Sequence, residues 1–118
     1  MKTLLLSTVA ILAVLFTNGQ TFTAQHSNTK INLTWDSNVA ASVNHFVIER
    51  SYDGNVFTDI ATVFAFEADA VKFPYQFADK NFSANKSVVY YRIRHMNVDG
   101  KLGYSSTQSI KLDTKTSR

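Results

Sequence analysis

Between Val88 and Asn97 the side chains change character residue by residue. Tyr91, Ile93 and His95 fall on one parity, and Tyr90, Arg92, Arg94 and Met96 on the other. A helix would gather residues three and four apart on one face, so a sustained period of two selects an extended strand with two chemically different faces. The same period recurs upstream. Ile31, Leu33 and Trp35 share a parity, as do Phe46 and Ile48, with Val47 and Glu49 assigned to the opposite, outward face. Asp53-Gly54 and Asp99-Gly100 supply hairpin turns, because such turns need a positive φ that glycine adopts at little cost.

Further strands are expected at Phe22 to Gln25, around Phe57, Ile60 and Val63, through Phe73, Tyr75 and Phe77, and from Tyr104 to Leu112, where Ile110 and Leu112 point inward. Polar His26 to Thr29 reads as a turn and Asp36 to Asn44 as a loop. Pro74 cannot donate to a ladder, which puts it at a strand start or an edge. About seven short strands with regular turns predict an all-β antiparallel sandwich. Its expected core is Leu33, Trp35, Phe46, Ile48, Tyr91 and Ile93. The alanine-rich stretch from Phe57 to Val71 has no Gly or Pro. Strand plus irregular linker is favoured there over a short helix, because propensity alone weighs little.

Ahead of this domain, Lys2 precedes an uncharged apolar run from Leu4 to Phe16, and Thr17-Asn18-Gly19 follows with a small residue at its end. A positive charge, an apolar stretch and a small-residue site in that order describe a secretory signal peptide. The run is too short for a membrane-spanning helix, which needs about 20 residues. The expected division is a signal peptide over 1–19, a folded domain over 20–112 and a polar tail over 113–118. The expected location is the periplasm, the cell surface or the medium, with no membrane insertion after cleavage. Gln20 and Thr21 alone separate the cut from Phe22, so a bare domain without linker, lipid anchor or sorting tail is expected. The chain has no cysteine, which excludes disulfides. Such a domain must rest on its core, and about 100 residues suffice for one. Lys and Arg number 12 against 9 Asp and Glu, and they are scattered. That argues against a nucleic-acid footprint and against a polybasic membrane patch.

Phe22-Thr23-Ala24, Leu33-Thr34-Trp35, the stretch Phe46 through Phe57 containing Glu49-Arg50-Ser51, Tyr75 to Asp79, Tyr90 to Ile93 and Asp99 to Ser105 occur in that order. This series resembles the fibronectin type III superfamily, and more narrowly a variant found in secreted proteins of Bacteroidetes-type bacteria. The resemblance covers nearly all of the domain. It implies a seven-stranded, immunoglobulin-like sandwich with Tyr91 as the corner tyrosine of the sixth strand. A buried phenol needs a partner, and a backbone group at the strand corner is the expected one.

No arrangement points to catalysis or to a cofactor. There is no Gly-x-Ser-x-Gly elbow and no thiol nucleophile. His26, His45 and His95 fit no metal-ligand spacing. Asp53, Asp59, Asp79 and Asp99 fall at turns or strand ends, where carboxylates bond local N–H groups. Arg50 is expected to cap the sandwich end against Asp53 or Asp79. Glu49, Arg92 and Arg94 share outward parity, so Glu49 is expected to pair with an arginine on the neighbouring sixth strand. The expected form is a surface ion pair of about 0.2–1 kcal/mol.

With Val47, Tyr90 and Met96, these three charges form the candidate protein-binding face. The preferred expectation is therefore a non-catalytic exported module that acts by protein contact. The alternative is a carbohydrate-binding module that uses exposed aromatics such as Tyr52, Tyr75 or Tyr104.

Overall fold

The structure, a computed structural model, describes residues 22–36, 43–65 and 74–112. The expected signal peptide and polar tail, Phe73 and the segment 66–71 lie outside the described residues. The described residues form eight strands: β1 (Phe22–Ser27), β2 (Lys30–Trp35), β3 (Val43–Ser51), β4 (Thr58–Phe64), β5 (Tyr75–Asp79), β6 (Val88–Asn97), β7 (Leu102–Tyr104) and β8 (Gln108–Lys111). They make two antiparallel sheets. One has the order β1-β2-β5; the other runs β4-β3-β6-β7, with β8 also paired to β6. This is the all-β sandwich that the alternation predicts.

Two details differ from expectation, and a third decides between the alternatives in favour of the preferred one. The last strand comes in two pieces, both paired to β6. Ser105 bridges the break: its N–H donates to the Ile93 carbonyl at 2.8 Å, and its Oγ accepts the Ile93 N–H at 2.9 Å. A side chain thus replaces a ladder bond where the strand kinks. Second, His26 and Ser27 belong to β1, and the turn shrinks to Asn28-Thr29, with Asn28 at φ 58. Third, Thr58 to Phe64 is a strand, which removes the helix alternative for that part.

The core lies between the sheets. Ile31, Leu33 and Trp35 meet Phe46, Ile48, Val89, Tyr91 and Ile93 there. All six residues expected in the core are buried. Trp35 meets Phe46 edge-on at 5.5 Å and stacks on Tyr75 at 5.8 Å; Phe46 and Tyr75 lie 4.9 Å apart. Such pairs contribute about 0.5–1.5 kcal/mol each beyond area burial. The outward assignment of Val47 and Glu49 holds for their side of the sheet, but both are buried.

The β3–β4 turn is tied internally. Asp53 Oδ1 accepts from the N–H groups of Asn55 and Val56 and from Ser51 Oγ at 2.8, 2.9 and 3.0 Å. These donors, Val56 and Asn55 foremost, hold the Asp53 carboxyl below its usual value. Gly54 takes φ 80, as the hairpin requires.

Candidate functional site on the outer face of the larger sheet

Register brings the outer-face residues together. Glu49 stands opposite Arg92 on β6 and opposite Asp59 on β4, while Arg94 stands between Val47 and Tyr104. The register shifts between Ile48 and Glu49 against β4. With that shift, Asp59 stands in the row of Glu49. Arg92 Nε donates to Glu49 Oε1 at 2.6 Å and Arg94 Nη1 to Glu49 Oε2 at 2.5 Å. Arg94 Nη2 reaches Asp59 Oδ2 at 3.2 Å. Both oxygens of Glu49 are therefore taken by guanidinium groups, and the residue is only 2% exposed. The expected surface ion pair is instead a buried carboxylate shared by two arginines. For such a charge the desolvation cost rivals the attraction, so removal of a partner is far more costly than the pair's net worth.

The arginines are braced in turn. The Arg92 guanidinium carbon lies 4.0 Å from the centroid of Phe57 and 4.5 Å from that of Tyr104. Arg92 thus interacts with a ring from the β3–β4 turn and a ring from β7, a cation–π arrangement on both counts. Of the six residues expected to form a protein-binding face, Val47 and Glu49 are covered, and Tyr90, Arg92, Arg94 and Met96 are half-buried. What the outer face does expose is a different set. Tyr104 is 47% exposed, and Phe64 and Leu102 are more so. Phe64, His45, Met96 and Leu102 are successive Cα partners across β4, β3, β6 and β7, and the rings of His45 and Phe64 lie 5.8 Å apart. The parity of Phe64, opposite to the core-packed Val63 on β4, is a signal that sequence reading passes over; Leu102 shares its parity with Ile110 and Leu112 and carries none.

A second charged cluster joins the two sheets. Arg50 Nη1 donates to both oxygens of Asp79 at 2.9 and 2.8 Å, the Asn81 N–H to Oδ1 at 3.0 Å, and Tyr91 Oη to Oδ2 at 2.5 Å. Tyr91, expected to bond a backbone group as a corner tyrosine, instead donates to a carboxylate, the stronger acceptor for a buried hydroxyl. Burial first, then the bond to Asp79, raises the Tyr91 pKa well above its usual value. Of the two acids offered to Arg50, Asp79 is taken, because Asp53 serves its own turn.

The three candidate sugar-stacking tyrosines separate cleanly. Tyr75 is buried beside Trp35 and cannot meet a ligand, which corrects its assignment as exposed. Tyr104 is exposed. Tyr52 is half-buried; its Oη accepts the Ser83 N–H at 2.7 Å, and Arg50 and Lys86 lie 5.6 and 5.4 Å from its ring centroid. It borders a hollow of about 460 Å³ that Arg50, Asp53, Thr58 and Lys86 also line. Among the described residues no three His, Asp or Glu side chains come together as a metal-binding group. His26 meets Phe82 edge-on, His45 bonds Asn44 Oδ1 at 2.8 Å, and His95 packs on Gly103. The His95 Nδ1 is buried without a partner among the described residues, and burial lowers its pKa.

No protein-family model matches the chain, and no curated protein matches it. Solved structures do. Pectate lyase Pel3 from Pectobacterium carotovorum superposes in two crystal structures. One has a TM-score of 0.61 at 16% identity over 82% of this chain and 26% of that one. The other has 0.59 at 18% identity over 84% and 27%. A β-1,2-glucanase from Parabacteroides distasonis superposes with 0.60 at 18% identity, over 84% of this chain and 13% of that one. At such identities the likeness shows the fold. The chain spans about a quarter of the pectate lyase and about an eighth of the glucanase.

Proposed function

We propose that this chain is a non-catalytic, exported glycan-binding module of fibronectin type III type, akin to an accessory domain of a carbohydrate-active enzyme. The observation that carries this reading is Tyr104. Its ring is half exposed, lies on the Arg92 guanidinium, and stands in register with Arg94. A fixed aromatic ring supplies an apolar surface to a sugar's C–H groups at little entropic cost, and the Arg94 guanidinium beside it offers donors for hydroxyls. The share of this fold in a pectate lyase and a β-1,2-glucanase supports the same reading, since it forms a minor part of each. The protein-contact reading draws less support, because two of its six residues are covered. Lys2 and the apolar run from Leu4 to Phe16 support export.

Affinity electrophoresis in gels cast with pectate, β-glucan or xylan tests the proposal. At least one polymer is expected to retard the protein, and Tyr104→Ala is expected to abolish the retardation while the fold is kept. Equal mobility of wild type and Tyr104→Ala in every gel overturns it. A mature N-terminus at Gln20, read by mass spectrometry on the envelope fraction, is the expected mark of export.

A further inference from the structure

The hollow at the β3–β4 turn holds cations whose donors are largely unused. Lys86 Nζ approaches the Tyr52 ring and makes no hydrogen bond or ion pair among the described residues. Arg50 uses Nη1 alone, on Asp79, and leaves Nε and Nη2 without an acceptor there. Asp53 commits Oδ1 to its turn and leaves Oδ2 over. A volume of about 460 Å³ is within the range of small-molecule sites, roughly 300–1,000 Å³.

The charges are not equivalent. Arg50 is already answered by Asp79, whereas Lys86 makes no ion pair among the described residues; the acid that shares the hollow, Asp53, has its Oδ1 turned to the N–H groups of its own turn. A neutral sugar would offer these donors hydroxyls only. A carboxylate accepts charge-assisted bonds from both, which are roughly twice as strong as neutral ones.

We propose that this hollow is a subsite for a uronate, a sugar bearing a carboxylate. The carboxylate sits between Lys86 Nζ and the free guanidinium nitrogens of Arg50, the sugar ring lies beside Tyr52, and a hydroxyl donates to Asp53 Oδ2. The inference rests on the glycan reading above and narrows the ligand class. It uses Arg50 near the end of β3, residues of the β3–β4 turn and Lys86 before β6, none of them in the Tyr104 group.

The test is a titration of ¹⁵N-labelled protein with glucose, glucuronate and acetate, followed by amide shifts. Glucuronate is expected to move the amides of 51–56 and Lys86 at concentrations where glucose and acetate do not. Lys86→Gln is expected to weaken glucuronate binding about tenfold, the loss of one charge-assisted bond, and to leave the melting temperature unchanged because Lys86 is exposed. Added salt is expected to act in the same direction, and more strongly on the wild type than on Lys86→Gln, which keeps only Arg50 as a cationic partner. Equal shifts with glucose and glucuronate, equal shifts with acetate, or an unaltered response in Lys86→Gln overturns the proposal. If those failures occur while Tyr104→Ala still abolishes retention by a polymer, the uronate inference alone falls. If Lys86-dependent glucuronate shifts persist while no polymer is retained through Tyr104, the outer-face assignment alone falls.

Discussion

Glu49 and Asp79 are both buried carboxylates answered by arginine, yet their settings differ. Asp79 ends a strand of the smaller sheet and takes donors from Arg50 on β3 and Tyr91 on β6 as well as from the Asn81 backbone. Its network crosses between sheets and includes neutral donors. Glu49 lies in the larger sheet, and its donors come from β6 of that same sheet. Its cover includes its own partners and the rings that hold Arg92. The comparison separates two uses of a buried charge. Asp79 fastens two layers together; Glu49 stiffens one surface and fixes the ring presented there.

Asp79→Ala attacks the first use and is expected to have the largest effect, about 3–5 kcal/mol of stability in chemical denaturation, because Arg50 is left unpaired and Tyr91 loses its acceptor. An equal loss in Glu49→Ala would erase the distinction. Tyr91→Phe sharpens it: loss of one hydrogen bond to a charged group is expected to cost about 1.5–3 kcal/mol, and the loss should vanish in an Asp79→Ala background. Glu49→Gln keeps the shape but removes the charge, and about 1–2 kcal/mol is expected. Its distinctive outcome is functional, since Tyr104-dependent retention should weaken while Asp79→Ala, at temperatures where it stays folded, should leave it intact.

The smallest effect concerns pH and the half-buried His95. Burial makes the folded protein hold the imidazole proton less tightly than the unfolded chain, whose value is 6.5. The unfolded state therefore binds more protons just below that pH, and stability falls as pH drops through it. Above it the contribution is complete; below the lowered folded value the decline levels off. Thermal melts between pH 7.5 and 5 should show this slope, and His95→Asn should flatten it. A slope that survives unchanged in His95→Asn would remove the histidine as its source.

The strands were legible because a period of two is a local property. Val88 to Asn97 needed only its own residues to declare two faces, and Ile31, Leu33 and Trp35 likewise declared the core. Parity states which side a residue faces, but not what covers that side. Glu49 and Val47 were therefore read as exposed, although cover for Glu49 arrives from Arg92 and Arg94, and for Arg92 from Phe57 on a turn and Tyr104 on another strand. Tyr91 shows the same limit, since its burial could be read but its partner belongs to the other sheet. Tyr75 was misread for want of the Trp35 ring it stacks on. The division of the last strand turns on one hydroxyl, Ser105 Oγ, that no periodicity reports.

The Arg92 contacts have a mechanical meaning. Phe57 precedes β4 at one edge of the larger sheet, and Tyr104 lies on β7 at the other. A force that peels β7 from β6 would meet the Tyr104–Arg92 contact as well as the ladder bonds. Because the same guanidinium group also grips Phe57 and Glu49, part of that load passes across the strands to the opposite edge. A tether pulling at the β7 side would then tear a transverse strap, not open a zipper one bond at a time.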